Sequence, residues 1–459
     1  MTRRLTCIAL GSFFATFFTA LPAWSQIAGT PQTTPARPSL TGSAPSLPVD
    51  ANVERAREAF RKGQMDECLN LLREAVKQNE KLPPAKLMFA RMWAEANQPQ
   101  VARMALEQAA SEEPHHPDIY LQLGDIALRE GRFTDALLLF REGMDVLKHG
   151  KWTEEQQNNV KTACHSGMAA AYEARGAWAE AQKSLEAALK INPKIGRLRQ
   201  RLGRALFMLD KRAEAEKEFQ QAVVDDPNLE PDGVTLGKLL SAKGEYKKAE
   251  EYFSYAAKAQ PNNLQARLGY GYWLMEQDRF DEAEREANAA AGIDGKSLEV
   301  RFFQGFVARG RRQFEQAERI FDDLLRDNPA NFQASNQLAL VLVAQGTDAK
   351  KRRALELAEV NARQYQREAE ALSTLGWIYY KLGRLTEAQQ LLASVYQGTG
   401  GNLSAETAYY LACVLAEQQR YDDVRKLLEG ALKLKGRFFY RREAQEMLNN
   451  LPKSTLPNP

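Results

Sequence analysis

Histidine and cysteine are nearly missing from this chain, four of each in 459 residues, and that scarcity removes much of the chemistry a protein can perform. His115, His116, His149 and His165 offer no two ligands four apart on a well-formed helix, and the adjacent pair follows Pro114 in a turn, so no metal centre is expected. Glycine-rich phosphate loops are lacking too, since Gly269 and Gly271 lie inside a helical pattern with no strand before them. Excess charge of either sign is also missing: 62 Lys and Arg against 59 Asp and Glu leave a formal +3, too little to build a field for nucleic acid. Beyond Leu21 no apolar run is long enough to cross a bilayer. No cofactor is implied.

The apolar run that does exist is N-terminal. Arg3 and Arg4 precede it, it extends from Leu5 to Leu21, and Ala23-Trp24-Ser25 follows with small residues at its ends. This is the pattern of a signal peptide over residues 1–25, cleaved before Gln26, and it predicts an exported chain, periplasmic or otherwise extracytoplasmic. A retained membrane anchor is the alternative. Residues 26–48 carry Pro31, Pro35, Pro38, Pro45 and Pro48 among small polar residues, a composition that predicts a flexible, disordered linker. After the signal, Cys68, Cys164 and Cys413 remain, widely scattered, and read as small buried helix residues rather than disulfide partners.

What the chain has in abundance is one spacing. Gly203, Gly237, Gly271, Gly305 and Ala339 stand 34 residues apart, as do Ala181, Ala215, Ala249, Ala283 and Ala317, with Pro193, Pro227, Pro261 and Pro329 in the same register. A period of 34 means a stacked helical array, so the length does not divide into ordinary domains. In the unit from Gly196 to Leu229, Leu198, Leu202, Leu206 and Leu209 share one face of a first helix, while Ala215, Phe219, Ala222 and Val223 share one face of a second. Asp210 and Lys211 mark the turn between them, and Pro227 stops the second helix.

These residues resemble the tetratricopeptide repeat family. Gly237, Gly244, Tyr246, Ala249, Phe253, Ala256 and Pro261 occupy that family's Gly, Gly, aromatic, Ala, aromatic, Ala and Pro positions in order. The pattern recurs as Gly124, Gly131, Phe133, Ala136 and Phe140, and as Gly376, Gly383, Leu385, Ala388 and Leu392. About eleven units follow: repeats 1–3 over 49–150, an insertion at 151–161, repeats 4–9 over 162–368, repeats 10 and 11 over 369–436, then a closing helix at 437–451 and a tail at 452–459. Thr153 and Gln156 form a capping-box pattern, so the helix after the insertion should start early and be long.

The resemblance implies an all-α fold, a right-handed superhelical solenoid of stacked antiparallel helix pairs, with a concave groove lined by the first helices. The family's groove positions fall here on Arg204, Phe207, Lys238, Tyr272, Met275, Phe302, Phe306, Arg309, Trp377, Tyr380 and Lys381. Aromatic and cationic groups suit an extended peptide, though aromatics there also serve to pack first helices against one another. Family members that clamp the terminal carboxylate of heat-shock chaperones need Lys and Asn where this chain has Ser166, Ala170, Val234 and Lys238, so that partner is not implied. Carboxylates such as Glu214, Glu216 and Glu218 lie beside Lys and Arg on second-helix faces and read as solvated charge. The expectation is a non-enzymatic scaffold of the bacterial cell envelope that binds partner proteins or peptides. The alternative is an accessory factor of an envelope machine for secretion, pilus assembly or polysaccharide export.

Overall fold

The computed structural model describes residues 50–452; the expected signal peptide, the linker and nearly all of the tail lie outside them. Among the described residues there are 23 α-helices and no strand. They form eleven pairs: α1 (Ala51–Arg61) with α2 (Met65–Gln78), α3 (Ala85–Glu95) with α4 (Pro99–Glu112), α5 (Pro117–Arg129) with α6 (Phe133–Asp145), and α7 (Glu154–Ala174) with α8 (Trp178–Ile191). Then come α9 (Gly196–Met208) with α10 (Arg212–Asp225), α11 (Asp232–Ala242) with α12 (Tyr246–Ala259), and α13 (Leu264–Glu276) with α14 (Phe280–Asp294). The last four pairs are α15 (Leu298–Gly310) with α16 (Phe314–Asp327), α17 (Phe332–Gln345) with α18 (Asp348–Gln364), α19 (Ala369–Lys381) with α20 (Leu385–Gly398), and α21 (Ala405–Glu417) with α22 (Tyr421–Lys433); a single helix, α23 (Arg441–Asn449), follows. Two compact units divide the array, one ending at Pro261 and the other beginning at Asn262.

Every turn inside a pair reverses the chain through one left-handed residue. Six are glycines, Gly63, Gly131, Gly176, Gly244, Gly346 and Gly383; the other five, Asn97, Asp210, Asp278, Arg312 and Gln419, hold φ between 57° and 63°. At Gly244 the reason is visible: Gly244 N–H donates to Ser241 O at 2.9 Å and Glu245 N–H to Leu240 O at 3.0 Å, the bond pair that satisfies a helix's last carbonyls. The repeated alanines lie where two helices cross, and Ala181, Ala215, Ala249, Ala283 and Ala317 are all fully buried. Beside them the repeated glycines admit an aromatic ring. A methyl on Gly305 would stand 2.7 Å from the Phe321 ring, too close for any contact. In the seventh pair the ring position on the second helix holds Ala287, and Phe303 from α15 fills the space against Gly271 instead.

The irregular stretches follow their local chemistry. Thr153 Oγ1 accepts from Gln156 N at 3.2 Å and Gln156 Oε1 accepts from Thr153 N at 2.9 Å, and this box opens the 21-residue α7. At the C-terminus the sequence pattern suggested one helix over 437–451, but α22 stops at Lys433, Leu434 turns extended, and α23 begins only at Arg441. Gly436, at φ 111°, permits this break, and Arg441 holds it by donating to Leu432 O at 3.3 Å and Gly436 O at 3.2 Å. The free thiols Cys68, Cys164 and Cys413 are buried, and burial pushes the Cys413 thiol up to about 11.

Candidate functional site

In the C-terminal unit the first helices α13, α15, α17, α19 and α21 are joined by their own side chains. Tyr272 of α13 meets Phe303 of α15 at 4.7 Å between ring centroids. Asn336 Nδ2 of α17 donates to Glu370 Oε1 of α19 at 2.9 Å, and Thr407 Oγ1 of α21 donates to Ser373 Oγ of α19 at 3.0 Å. Arg309 of α15 reaches both Gln337 Oε1 of α17, at 2.6 Å, and Glu406 Oε1 of α21, at 3.2 Å, although 97 residues separate Arg309 from Glu406. Packed helices lie about 9 Å apart, so a flat row would set α15 and α21 roughly 27 Å from each other, beyond the span of an Arg–Glu pair. The face therefore curves inward.

That inner face is already filled. Residues 434–440 leave α22 without helical structure and run along it. The Arg437 guanidinium sits 3.9 Å over the Phe306 ring, and Phe439 stacks with Phe280 at 6.1 Å while the Arg309 guanidinium lies 4.1 Å over it. Tyr440 is wedged among Trp377 at 5.5 Å, Tyr409 at 5.0 Å and Tyr410 at 5.7 Å. Phe438 is buried against Tyr409. Beyond the segment, Glu443 pairs with Arg312, and Arg441 lies 3.2 Å from Asp278. The electrostatics are tuned around Arg309: burial opposes its charge, but Glu406 and the hydroxyls of Tyr410 and Tyr440 outweigh that and hold the guanidinium above its ordinary range. Arg437 fares differently, since burial lowers it against the pull of Glu406 and Glu370.

The residues expected at a groove fall into two sets. Tyr272, Met275, Phe302, Phe306, Arg309 and Trp377 are buried in the C-terminal unit, Tyr380 is half-buried there and Lys381 is exposed, its ammonium 4.6 Å over the Trp377 ring. Of these, Phe306, Arg309 and Trp377 touch the returning segment directly, whereas Tyr272 and Phe302 also pack within the helix stack, Phe302 against Phe306 and Phe321. The Tyr272 hydroxyl is buried with no hydrogen-bond partner. Arg204, Phe207 and Lys238 belong to the N-terminal unit. Arg204 is exposed beside Trp178 at 5.9 Å, Phe207 is buried beneath Lys243 at 4.7 Å, and Lys238 pairs with Glu230.

Sequence reasoning missed Arg437, Phe439, Tyr440, Glu406 and the Tyr409–Tyr410 pair. A signal for the first three exists: an unbroken Arg-Phe-Phe-Tyr run directly after a glycine, outside the 34-residue register. Among the described residues no group of three or more His, Cys, Asp or Glu could hold a metal ion, and no helix is long and apolar enough to cross a membrane. What the face can do chemically is hold rings and cations.

Three sequence models, each described as tetratricopeptide repeat, match the chain: one at 94–145, 172–236 and 240–301, a second at 304–360 and a third at 369–399. Together they span more than half of it. No curated protein matches. Among solved structures, yeast Tom70 is similar at 14% identity over 87% of this chain and 94% of that one, with a TM-score of 0.39. A tetratricopeptide repeat protein from Parabacteroides merdae is similar at 15% identity over 63% and 98%, with a TM-score of 0.36. With its register, its helix pairs and the three sequence-model matches together, the chain belongs to the tetratricopeptide repeat family.

Proposed function

We propose that this chain is an exported, non-enzymatic scaffold of the bacterial envelope that holds a segment of a partner protein on the inner face of its C-terminal unit. One observation carries the reading: a non-helical stretch of the chain's own sequence already lies along that face, with its side chains seated among rings and charges. An extended peptide brings apolar side chains and carbonyls to such a surface, which answers with aromatic contact and arginine donors. Service to an envelope machine would use the same face with a different partner. Export is supported by Arg3, Arg4, the apolar run and Ala23-Trp24-Ser25.

Two measurements check this. A benzophenone amino acid placed at Lys381, exposed beside Trp377, should cross-link a partner in the native host, whereas one at Glu429, exposed on the second helix α22, should not. Equal yields at the two positions, or a yield at Glu429 alone, would move the partner surface to the second helices. Terminal sequencing of the chain from its native host should begin at or near Gln26; recovery of the uncleaved chain from the cytoplasm would contradict export.

A further inference from the structure

We propose that Gly436–Tyr440 is a displaceable internal ligand of the inner face, and that the partner segment replacing it carries the same chemistry: an arginine followed two and three positions later by aromatic side chains. This deepens the scaffold reading and rests on it. The occupant's seats are specific. Arg437 is placed 3.9 Å over Phe306 and 5.4 Å from Phe439, with no hydrogen bond or ion pair of its own among the described residues and with Glu406 and Glu370 acting on it through their field. A ring backed by carboxylates selects a cation, and a planar guanidinium suits it best. The next seat is closed by Phe280 on one side and the Arg309 guanidinium at 4.1 Å on the other, so an aromatic side chain gains there what an aliphatic one does not. The third seat, between Trp377, Tyr409 and Tyr410, takes a second ring.

The internal occupant is held loosely for a part of the fold. Arg437, Phe439 and Tyr440 each keep some exposed surface, in contrast to Phe438. The helix that follows, α23, buries Ala444 alone; Arg441 donates to Leu432 O at the end of α22 and to Gly436 O, and beyond these near neighbours in the chain the Arg312–Glu443 and Arg441–Asp278 pairs tie it at the surface, a kind of contact that adds little. No backbone N–H from Gly436 to Tyr440 donates to a backbone carbonyl, and the carbonyls of Phe438 and Tyr440 accept only from Arg441 and Ala444 of the adjoining α23, so no backbone hydrogen bond ties the stretch to the inner face. What keeps it in place is proximity. A segment joined to α22 by a few residues acts at an effective concentration of about a millimolar, and an outside peptide of equal fit competes poorly until the tether is weakened.

The test uses the whole chain and a fluorescein-labelled peptide copying residues 435–442. The Arg437→Ala/Phe439→Ala variant should bind this peptide about tenfold or more tighter than the unaltered chain, because the competitor is disabled while the face is intact. Peptides carrying Arg437→Ala or Phe439→Ala should each lose about tenfold or more. A second variant, Glu443→Arg, severs the tie to Arg312 without touching face or segment and should bind about two- to fivefold tighter; it decides the matter where the first variant does not fold. Equal affinity in all three proteins, indifference to the peptide substitutions, or no binding at all overturns the inference. So does a concentration-dependent dimer of the unaltered chain that the first variant lacks, which would mean that a second copy supplies the segment. Partner cross-linking at Lys381 without peptide binding sinks this inference alone, whereas loss of both sinks the scaffold reading as well.

Discussion

Replacing Glu406 by alanine is expected to destabilise the C-terminal unit by about 3 kcal/mol, the lower end of what removing one partner of a buried pair costs. Arg309 is 5% exposed, and Glu406 is its one carboxylate, accepting from Arg309 Nη2 at 3.2 Å and from the Tyr410 hydroxyl at 3.3 Å. Alanine leaves a buried guanidinium with Gln337, Tyr440 and the face of Phe439 but no carboxylate, and leaves the buried Tyr410 hydroxyl without its acceptor. Urea unfolding followed by circular dichroism reads the loss. Removing both charges, as Arg309→Met with Glu406→Leu, should recover most of it, since well-packed apolar groups often replace a buried pair at no net cost. A Glu406→Ala protein as stable as its parent would mean that Arg309 is solvated and that the face is open at this point.

A loss of about 3–5 kcal/mol is expected from Ala249→Arg. Ala249 is fully buried on α12, on the column of alanines that repeats through the array. Overpacking there costs roughly 1–3 kcal/mol, and the guanidinium would also be buried without a partner. Because each repeat is stabilised by its neighbours, hydrogen exchange should show α11 and α12 opening first, with the adjacent pairs following. Unchanged protection in those helices would mean that the second helices do not cross at this column.

The two substitutions separate what the sequence discloses from what it conceals. Ala249 belongs to a column that a 34-residue spacing makes plain, because close helix crossings demand small residues and the same crossing recurs in every pair. The capping box at Thr153 was legible for a similar reason, as its two partners are three residues apart. Arg309 reads locally as a cation available to a partner, and in the structure it pairs with Glu406, 97 residues further along the chain. No local pattern encodes that pairing, which exists only because the stack curves. The same holds for the returning segment: Glu443 meets Arg312 across 131 residues, and Phe439 meets Phe280 and Phe306 from outside the repeat register. Arginine at the left-handed turn position 312 was hidden as well, since glycine and asparagine are the usual signals there.

The central claim, that the inner face of the C-terminal unit is a peptide seat held by the chain's own Gly436–Tyr440, is tested most directly by a benzophenone amino acid at Phe439 in the otherwise unaltered chain. Irradiation should join position 439 to peptides containing Phe280, Phe306 or Arg309, the groups that surround it. Cross-links that fall on the second helices, or a chain that shows none within itself, would contradict it.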